Sequence, residues 1–173
     1  MQTKTQNYVK RYLMLCVGLT IISFGIAFSI KAGLGTTPVS SLPYVLSEIT
    51  PLSVGSATIV MHCGMILLQI LLLRREYELI QLVQLPVALL FGVLTDFSVW
   101  AIQGIPCSSY GAQWLLCAVG ILLVGIGVSL EVAANVVTLA GEGAVLAICK
   151  VFSLPFAKTK VSFDMALVLS ASI

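Results

Sequence analysis

The chain has 173 residues, of which 59% are hydrophobic and 9% are charged, and its formal net charge is +2 at pH 7. A soluble domain carries about 25% charged residues, so this composition excludes an ordinary soluble fold and indicates a chain surrounded by lipid. The apolar runs are unbroken, which excludes the alternating strands of a β-barrel. Since backbone groups in a bilayer must pair internally, we predict an all-α, polytopic helical membrane protein whose main partner is the lipid bilayer.

Four apolar runs are long enough to span a membrane, for which roughly 20 residues are needed. In chain order they are Leu13–Ile30, Ala57–Leu73, Leu79–Ile102 and Trp114–Leu130. A fifth run begins near Val161 and stops at Ile173. It would form a helix of roughly 20 Å, shorter than a hydrocarbon core of about 30 Å. We expect about five membrane helices, the last of them either cut short by truncation of a longer parent or completed by a partner.

Two shorter apolar segments, Val39–Ile49 and Val136–Ile148, lie between these spans. If both are re-entrant half-helices, Lys31 is the single basic residue of the nine on the side opposite the N-terminus. Cytoplasmic loops carry such an excess of Lys and Arg. Residues 1–12 are therefore predicted to be cytoplasmic and residues 13–173 to form one membrane domain in the cell inner (plasma) membrane.

The first short segment has the sequence features of a re-entrant half-helix, which enters and leaves the membrane on the same side. Pro38 suits the first turn of a helix, where a missing N–H costs nothing, and Gly33 and Gly35 permit a tight turn before it. The alternative is a surface loop followed by an amphipathic helix that lies on the membrane.

The order of span, break, short helix and span occurs twice. GIAFSIKA (25–32) matches GIGVSLEV (125–132) at an offset of 100, and GSATIVMHCGMIL (55–67) lies against AKTKVSFDMALVL (157–169) at an offset of 102. Inverted repeats with interrupted helices are common in transporters. We therefore predict a first repeat over about 13–102 and an incomplete, inverted second repeat over about 112–173.

Two carboxylates lie where the chain is otherwise apolar. A charge inside a bilayer costs about 2.5–3.5 kcal/mol on insertion scales, so each needs a reason. Asp96 lies within the third span and Glu142 lies between two glycines at the start of the second short helix. Either could take part in binding. Alternatively, Asp96 pairs with a hydroxyl or with Lys31, and Glu142 interacts with the positive end of the helix dipole.

Four hydroxyl groups surround the start of the first short helix. The free N–H groups of a helix N-terminus suit an anion or a carbonyl group, although the hydroxyls could instead cap those N–H groups. The predicted substrate-binding residues are the four hydroxyl residues and the two carboxylates: Thr36, Thr37, Ser40, Ser41, Asp96 and Glu142.

Other polar residues in the spans have simpler interpretations. We interpret His62 as a hydrogen-bonded packing residue. Gln81 and Gln84 lie one helical turn apart and could form hydrogen bonds between helices. Lys31 and Glu131 are expected at span ends, where long side chains reach the membrane surface.

Several function classes are disfavoured by what the sequence lacks. It contains no HExxH, GxSxG or P-loop motif and no ligand pair at metal spacing, so we expect no enzyme activity, cofactor or metal. No basic patch with interleaved aromatic residues suggests a nucleic-acid partner.

We expect a transporter or channel-like protein for a small polar or anionic solute. The alternative is a membrane scaffold or accessory protein for a partner enzyme or receptor, and the sequence leaves homo-oligomer formation open.

Three segments resemble the YczE/YitT-like family of bacterial integral membrane proteins. They are GLGTTPVSSLPYVLS, QLVQLPVALLFGVLTDF, and LAGEGAVLAICKVF with KVSFDMALVL. The resemblance runs across nearly all of residues 11–173 and implies a small bacterial inner-membrane protein. Members of that family continue past the end of this sequence, which agrees with the expected truncation. The resemblance implies no particular substrate or catalytic residue.

Overall fold

The computed structural model describes residues 2–107 and 109–172, and these residues form helices and no strand. The α-helices are α1 (Gln2–Ala32), α2 (Pro38–Ile49), α3 (Val54–Leu73), α4 (Gln84–Ala101), α5 (Tyr110–Ala134), α6 (Ala140–Phe152) and α7 (Phe156–Ala171). Two short 3-10 helices, Arg74–Glu76 and Leu79–Val83, lie between α3 and α4. Met1 and Ile173, the ends of the predicted segments, lie outside the described residues.

Four helical segments are long and apolar enough to cross a membrane, which confirms the helical membrane class. They are Val9–Ala32, Val54–Glu76, Gln81–Ala101 and Tyr110–Ala134, and each covers most or all of one predicted span. α7 has 16 residues and is not among them. The predicted number of about five spans is therefore approximate, with four in the described part of the chain.

The first short helix begins where the sequence predicts it. α2 starts with Pro38 in its first turn and has 12 residues. Gly33 and Gly35 precede it with φ of 67° and 129°, a region that residues with a Cβ rarely adopt. The predicted tight turn is therefore confirmed, and its two glycines provide the required backbone conformations.

The second short helix begins four residues later than predicted. Asn135 adopts the left-handed conformation and ends α5, and the chain remains non-helical up to Leu139. Gly141 and Gly143 lie in the first turns of α6, as predicted for the glycines on either side of Glu142. The prediction from Val136 was wrong because it followed the apolar residues and did not recognise the helix stop at Asn135.

The last helix, in contrast, begins earlier than the predicted start near Val161. α7 starts at Phe156, after Pro155 in an extended conformation. Lys160 and Asp164 form an ion pair of 2.7 Å one turn apart on this helix, which helps the helix to accommodate both charges. The prediction excluded this first turn because it treated the lysines as a boundary of the apolar run.

The helix boundaries in the two predicted repeats differ by a constant 102 residues. The helix ends that correspond are Ala32 and Ala134 for α1 and α5, Pro38 and Ala140 for the starts of α2 and α6, and Val54 and Phe156 for the starts of α3 and α7. Gly33 and Asn135, also 102 residues apart, both have positive φ. The helix boundaries therefore fit an offset of 102 for all three pairs of helices, including the first pair, which was aligned at 100, and the division into repeats stays a prediction.

The chain divides into two compact units. One comprises Met1–Thr36 and Leu94–Val136, and the other comprises Thr37–Val93 and Val137–Ile173. Each unit takes segments from both repeats, so neither unit coincides with a repeat.

In the first unit, α1 and α5 approach each other at glycines. A Cβ added at Gly25 would lie 2.8 Å from the carbonyl oxygen of Gly120, and one added at Gly127 would lie 2.8 Å from that of Gly18. Gly18 is equivalent to Gly120, and Gly25 to Gly127, so the same contact is made twice. Because the residue numbers run in opposite directions along the two helices, α1 and α5 are antiparallel, as an inverted repeat requires.

Two charged residues of this unit differ in their surroundings. Lys31, at the end of α1, donates a hydrogen bond of 3.0 Å to the carbonyl oxygen of Gln103. Glu131 was expected to reach the membrane surface, but it is only 4% exposed in the last turn of α5. That expectation was wrong because α1 covers this side of α5, where a Cβ at Gly18 would lie 3.2 Å from the backbone nitrogen of Glu131.

The core of the second unit joins α3 to α6, with contributions from α2 and α7. Its buried members are Met61, Met65, Ile66, Ala140 and Ala144. Partly buried apolar side chains pack against this core: Val39, Leu42, Ile70, Leu85, Phe163 and Leu167. The starts of both short helices are thereby held inside the same apolar cluster.

Candidate functional site

Three of the four hydroxyl groups at the start of α2, those of Thr37, Ser40 and Ser41, form hydrogen bonds with each other or with a nearby carbonyl oxygen. Thr37 is the N-cap residue, but its side chain caps no backbone N–H and donates instead to Ser40 Oγ at 2.8 Å. Ser41 donates to the carbonyl oxygen of Pro38 at 2.7 Å. The capping role considered for these hydroxyls is therefore not seen at Thr37, and the first turn of α2 is left without a side-chain cap.

The start of α6 also lacks a side-chain cap. Its N-cap residue is Leu139, whose side chain has no acceptor. The N–H of Gly143 makes the first helical hydrogen bond, to the carbonyl oxygen of Leu139 at 3.0 Å. The N–H groups of Ala140 and Gly141 precede it and have no acceptor within the helix. The start of α2 differs, because Pro38 has no N–H and the N–H groups of Ser40 and Ser41 both donate to the carbonyl oxygen of Thr37 at 2.9 Å, which leaves the N–H of Val39 without an acceptor inside the helix.

The first turns of α2 and α6 touch each other within the second unit. A Cβ added at Gly141 would lie 3.7 Å from a methyl carbon of Val39 and 3.7 Å from the sulfur of Met65. Val39 and Gly141 are equivalent positions of the two repeats, so α2 and α6 meet at corresponding residues. The positive ends of two helix dipoles are consequently brought together in a largely apolar environment.

A buried amide fixes α6 beside this meeting point. Gln69 of α3 is 1% exposed, and its Nε2 donates to Gln84 Oε1 and to the carbonyl oxygen of Ala140, both at 3.1 Å. Gly143 gives the two amides room, since a Cβ there would lie 2.8 Å from Gln69 Oε1 and 2.9 Å from Gln84 Nε2. This network joins α3, α4 and α6 at the first turn of α6.

His62 is a buried polar side chain of α3, seven residues before Gln69 in the sequence. It is 1% exposed, and its ring stacks on Phe91 of α4 with 5.8 Å between ring centroids and 8° between planes. Its Nδ1 makes no hydrogen bond. The packing role predicted for His62 is confirmed by the stack, but hydrogen bonding at Nδ1 is not.

The six predicted site residues divide between the two units. Thr36 and Asp96 belong to the first unit, and Thr37, Ser40, Ser41 and Glu142 belong to the second. Thr36 Oγ1 is buried and makes no hydrogen bond, and Asp96 is half-buried. The proposal that all six act together stays a prediction.

Glu142 lies in the first turn of α6, but on another face from the residues that contact Gln69. At 100° per residue, its side chain projects well away from those of Ala140 and Ala144, which pack toward α3. This position favours an interaction with the helix dipole over membership of the Gln69 network.

We expect Glu142→Gln to lower the free energy of unfolding by about 0.3–1 kcal/mol, because a negative charge at a helix N-terminus is stabilising. Unfolding in mixed detergent micelles, followed by tryptophan fluorescence, would measure the change. Glu48→Gln is the matched control, since Glu48 is exposed in the last turn of α2 and its removal should be neutral or stabilising. A loss of equal size in both variants would contradict a dipole effect.

The sequence reasoning missed Gln69 although it anticipated Gln84. Gln69 is a single amide within the apolar residues of α3, and its partners lie 15 and 71 residues away along the chain. A lone amide within an apolar span is itself a usable signal, because polar side chains in membrane helices usually face other helices. Among residues 2–107 and 109–172 no cluster of three potential metal ligands occurs.

Comparison with known proteins gives a family but no activity. The profile of a family of unknown function, DUF6198, matches residues 9–173. The uncharacterized protein YyaS of Bacillus subtilis is 26% identical over 121 residues, which are 69% of this chain and 59% of YyaS. The chain thus aligns with about three fifths of that relative, and no solved structure matches. These similarities do not confirm the resemblance to the YczE/YitT-like family, which remains an expectation.

Proposed function

The chain belongs to the DUF6198 family, and since no function is known for that family, we propose from the geometry that it is a small-solute transporter or channel-like protein. Its solute would be small and polar or anionic, and would bind where the first turns of α2 and α6 meet. The membrane would be the bacterial inner membrane, with the N-terminus in the cytoplasm.

The observation that carries this proposal is the contact between two helix starts without side-chain caps. A buried backbone donor that lacks a partner is costly, so a polar solute or water gives these first turns a partner that their own side chains do not. Irregular backbone precedes both helices, and at membrane depth it is tolerated only against protein or a water-filled cavity. Transporter sites commonly use the N-termini of interrupted helices at a repeat interface.

The orientation follows from the distribution of basic residues. α1 crosses the membrane once, and the excess of Lys and Arg assigns its N-terminal side to the cytoplasm. In that orientation α2 returns to the outer side and α6 to the inner side, so the contact of Val39 with Gly141 lies between two half-helices entered from opposite faces. Such an arrangement suits alternating access to one site.

Solute-dependent swelling of vesicles would test this function. The purified chain is reconstituted into liposomes, and swelling is recorded with small neutral solutes and with sodium salts of small anions. We expect at least one solute to enter faster than into protein-free vesicles. Gly141→Phe should abolish the difference, because the ring would fill the space between Val39 and Met65.

Gly64→Phe is the matched control, since Gly64 is exposed on α3 and a Cβ there meets nothing within 4 Å. It should leave swelling unchanged. If no solute enters faster than into protein-free vesicles, the transport proposal is wrong and the scaffold alternative gains support. If both phenylalanine variants conduct like the native chain, the pathway does not pass the contact of α2 with α6.

A further inference from the structure

The end of α3, the end of α6 and the start of α7 lie together within the second unit. α3 and α6 run parallel, because a Cβ at Gly141 would lie 3.7 Å from the sulfur of Met65 and, further along both segments, Glu76 forms an ion pair of 2.9 Å with Lys150. Three residues separate α6 from α7, so α7 begins where α6 ends. Since Val54–Glu76 is long and apolar enough to cross a membrane, this end of the unit belongs at a membrane surface. We call it the basic end, and it comprises residues 74–78 and 150–160.

The basic end carries more unpaired cations than carboxylates. Lys150 is already paired with Glu76, and Lys160 is paired with Asp164 at 2.7 Å. Glu78 is the remaining carboxylate of these residues. Three basic residues are exposed and form no ion pair within the part of the chain that the structure describes: Arg74, Arg75 and Lys158. Such an excess of positive charge next to a membrane span attracts anionic headgroups.

Apolar side chains are exposed beside these cations. Every residue from Val151 to Lys158 is exposed, including Phe152 at 60% and Phe156 at 47%. Aromatic side chains flanked by lysines suit the headgroup region, where the rings enter the acyl boundary and the ammonium groups stay in water. A soluble phosphate would match the charge of the basic end but would leave these rings uncovered, whereas a phospholipid matches both.

We propose that the basic end binds an anionic phospholipid. The phosphate accepts hydrogen bonds from the arginines and from Lys158, since guanidinium groups match phosphate geometry, and the acyl chains cover Phe152 and Phe156. Phosphatidylglycerol is preferred over phosphatidylcholine because it has no ammonium group to compensate its phosphate. This inference does not depend on the proposed function, because it concerns the surrounding lipid and not a transported solute.

A single tryptophan at the basic end would report the composition of the lipid around it. The chain has two tryptophans, Trp100 and Trp114, which are exposed residues of the first unit and can be replaced by phenylalanine. Phe152→Trp then supplies the reporter. The chain is reconstituted into vesicles of phosphatidylcholine that contain a minor fraction of phosphatidylglycerol, and either lipid carries bromine on its acyl chains as the quencher.

We expect brominated phosphatidylglycerol to quench the reporter about fivefold or more strongly than brominated phosphatidylcholine, per molecule of each lipid in the bilayer, as one lysine or arginine near a membrane surface already provides. Both leaflets have the same composition, so the orientation of the chain in the vesicle does not affect the result. Equal quenching by the two lipids would overturn the proposal.

Lys158→Gln in the reporter chain should lower this preference about fivefold, because it removes one of the cations. Lys10→Gln is the matched control. Lys10 is exposed on α1 in the first unit and is predicted on the same side of the membrane, so the control removes the same charge and leaves the basic end intact. It should leave the preference unchanged. An equal loss in both variants would show a diffuse effect of net charge and refute a site at the basic end.

The melting temperature of the native chain gives a second measurement that needs no tryptophan replacement. In mixed micelles, added phosphatidylglycerol should raise it more than added phosphatidylcholine, and Lys158→Gln should reduce the difference. Glycerol phosphate, which has the charge but no acyl chains, should have no effect at the same concentration. If glycerol phosphate raises the melting temperature as much as the lipid does, the basic end takes soluble phosphates and the lipid proposal is wrong.

Discussion

Gly120→Ala is expected to lower the free energy of unfolding by about 1–3 kcal/mol, as overpacking does, although alanine is the better helix former. A Cβ at Gly120 would lie 2.5 Å from Ser29 Oγ and 2.8 Å from the carbonyl oxygen of Gly25. The hydroxyl can rotate away, but the carbonyl belongs to the backbone of α1. α1 and α5 must therefore move apart, and the gain in helix propensity, about 1 kcal/mol, offsets only part of the lost contact.

Gly125→Ala is the matched control because it makes the same change in the same helix. A Cβ at Gly125 meets nothing within 4 Å, so this variant should be unchanged or more stable by up to about 1 kcal/mol. Unfolding in mixed micelles, followed by the fluorescence of Trp100 and Trp114, measures both variants. Equal stability of the two alanine variants would show that α1 and α5 do not approach closely at Gly120.

The helices that cross the membrane could be predicted because the length of an apolar run is a local property. The run Ala57–Leu73 lies within α3, and Pro38 marks the start of α2. The predicted helix boundaries were wrong where apolar residues continue past the point at which the backbone leaves the helical conformation. At Asn135, a left-handed residue ends α5 although the following valines are apolar.

The offset of 102 residues could also have been obtained from the sequence, from two pairs of glycines. Gly18 and Gly25 are seven residues apart, as are Gly120 and Gly127, so each pair lies on one helix face two turns apart. Aligning the two pairs gives 102 directly. The match at 100 relied on small apolar residues around Gly25, and such residues coincide easily between any two membrane helices.

Of the candidate site, only the start of α2 could be predicted from the sequence. The sequence indicates that α2 begins among hydroxyl residues, but whether Thr37 caps the helix or donates to Ser40 depends on side-chain geometry. The contact of α2 with α6 depends on how distant segments pack, which no local pattern specifies. Gln69 acquires its role through the packing of α3 against α4 and α6, and for the same reason the sequence could not assign that role.

Gln69→Leu is expected to lower the free energy of unfolding by about 1–3 kcal/mol, the cost of leaving buried polar groups unpaired. Hydrogen bonds between membrane helices average about 0.6 kcal/mol, but one Gln69 amide here serves two acceptors on two helices. Gln84 is itself only 3% exposed, so water cannot readily replace the lost donor. Unfolding in mixed micelles would measure the loss.

The double variant Gln69→Leu, Gln84→Leu separates an unpaired amide from a poorly packed leucine. Replacing both partners removes the unsatisfied group, and such paired replacements can be nearly neutral. We therefore expect the double variant to be more stable than Gln69→Leu alone, with the lost bond to the Ala140 carbonyl oxygen accounting for the remaining loss. Losses that simply add would mean that the two amides do not depend on each other and that the first turn of α6 is held by apolar packing alone.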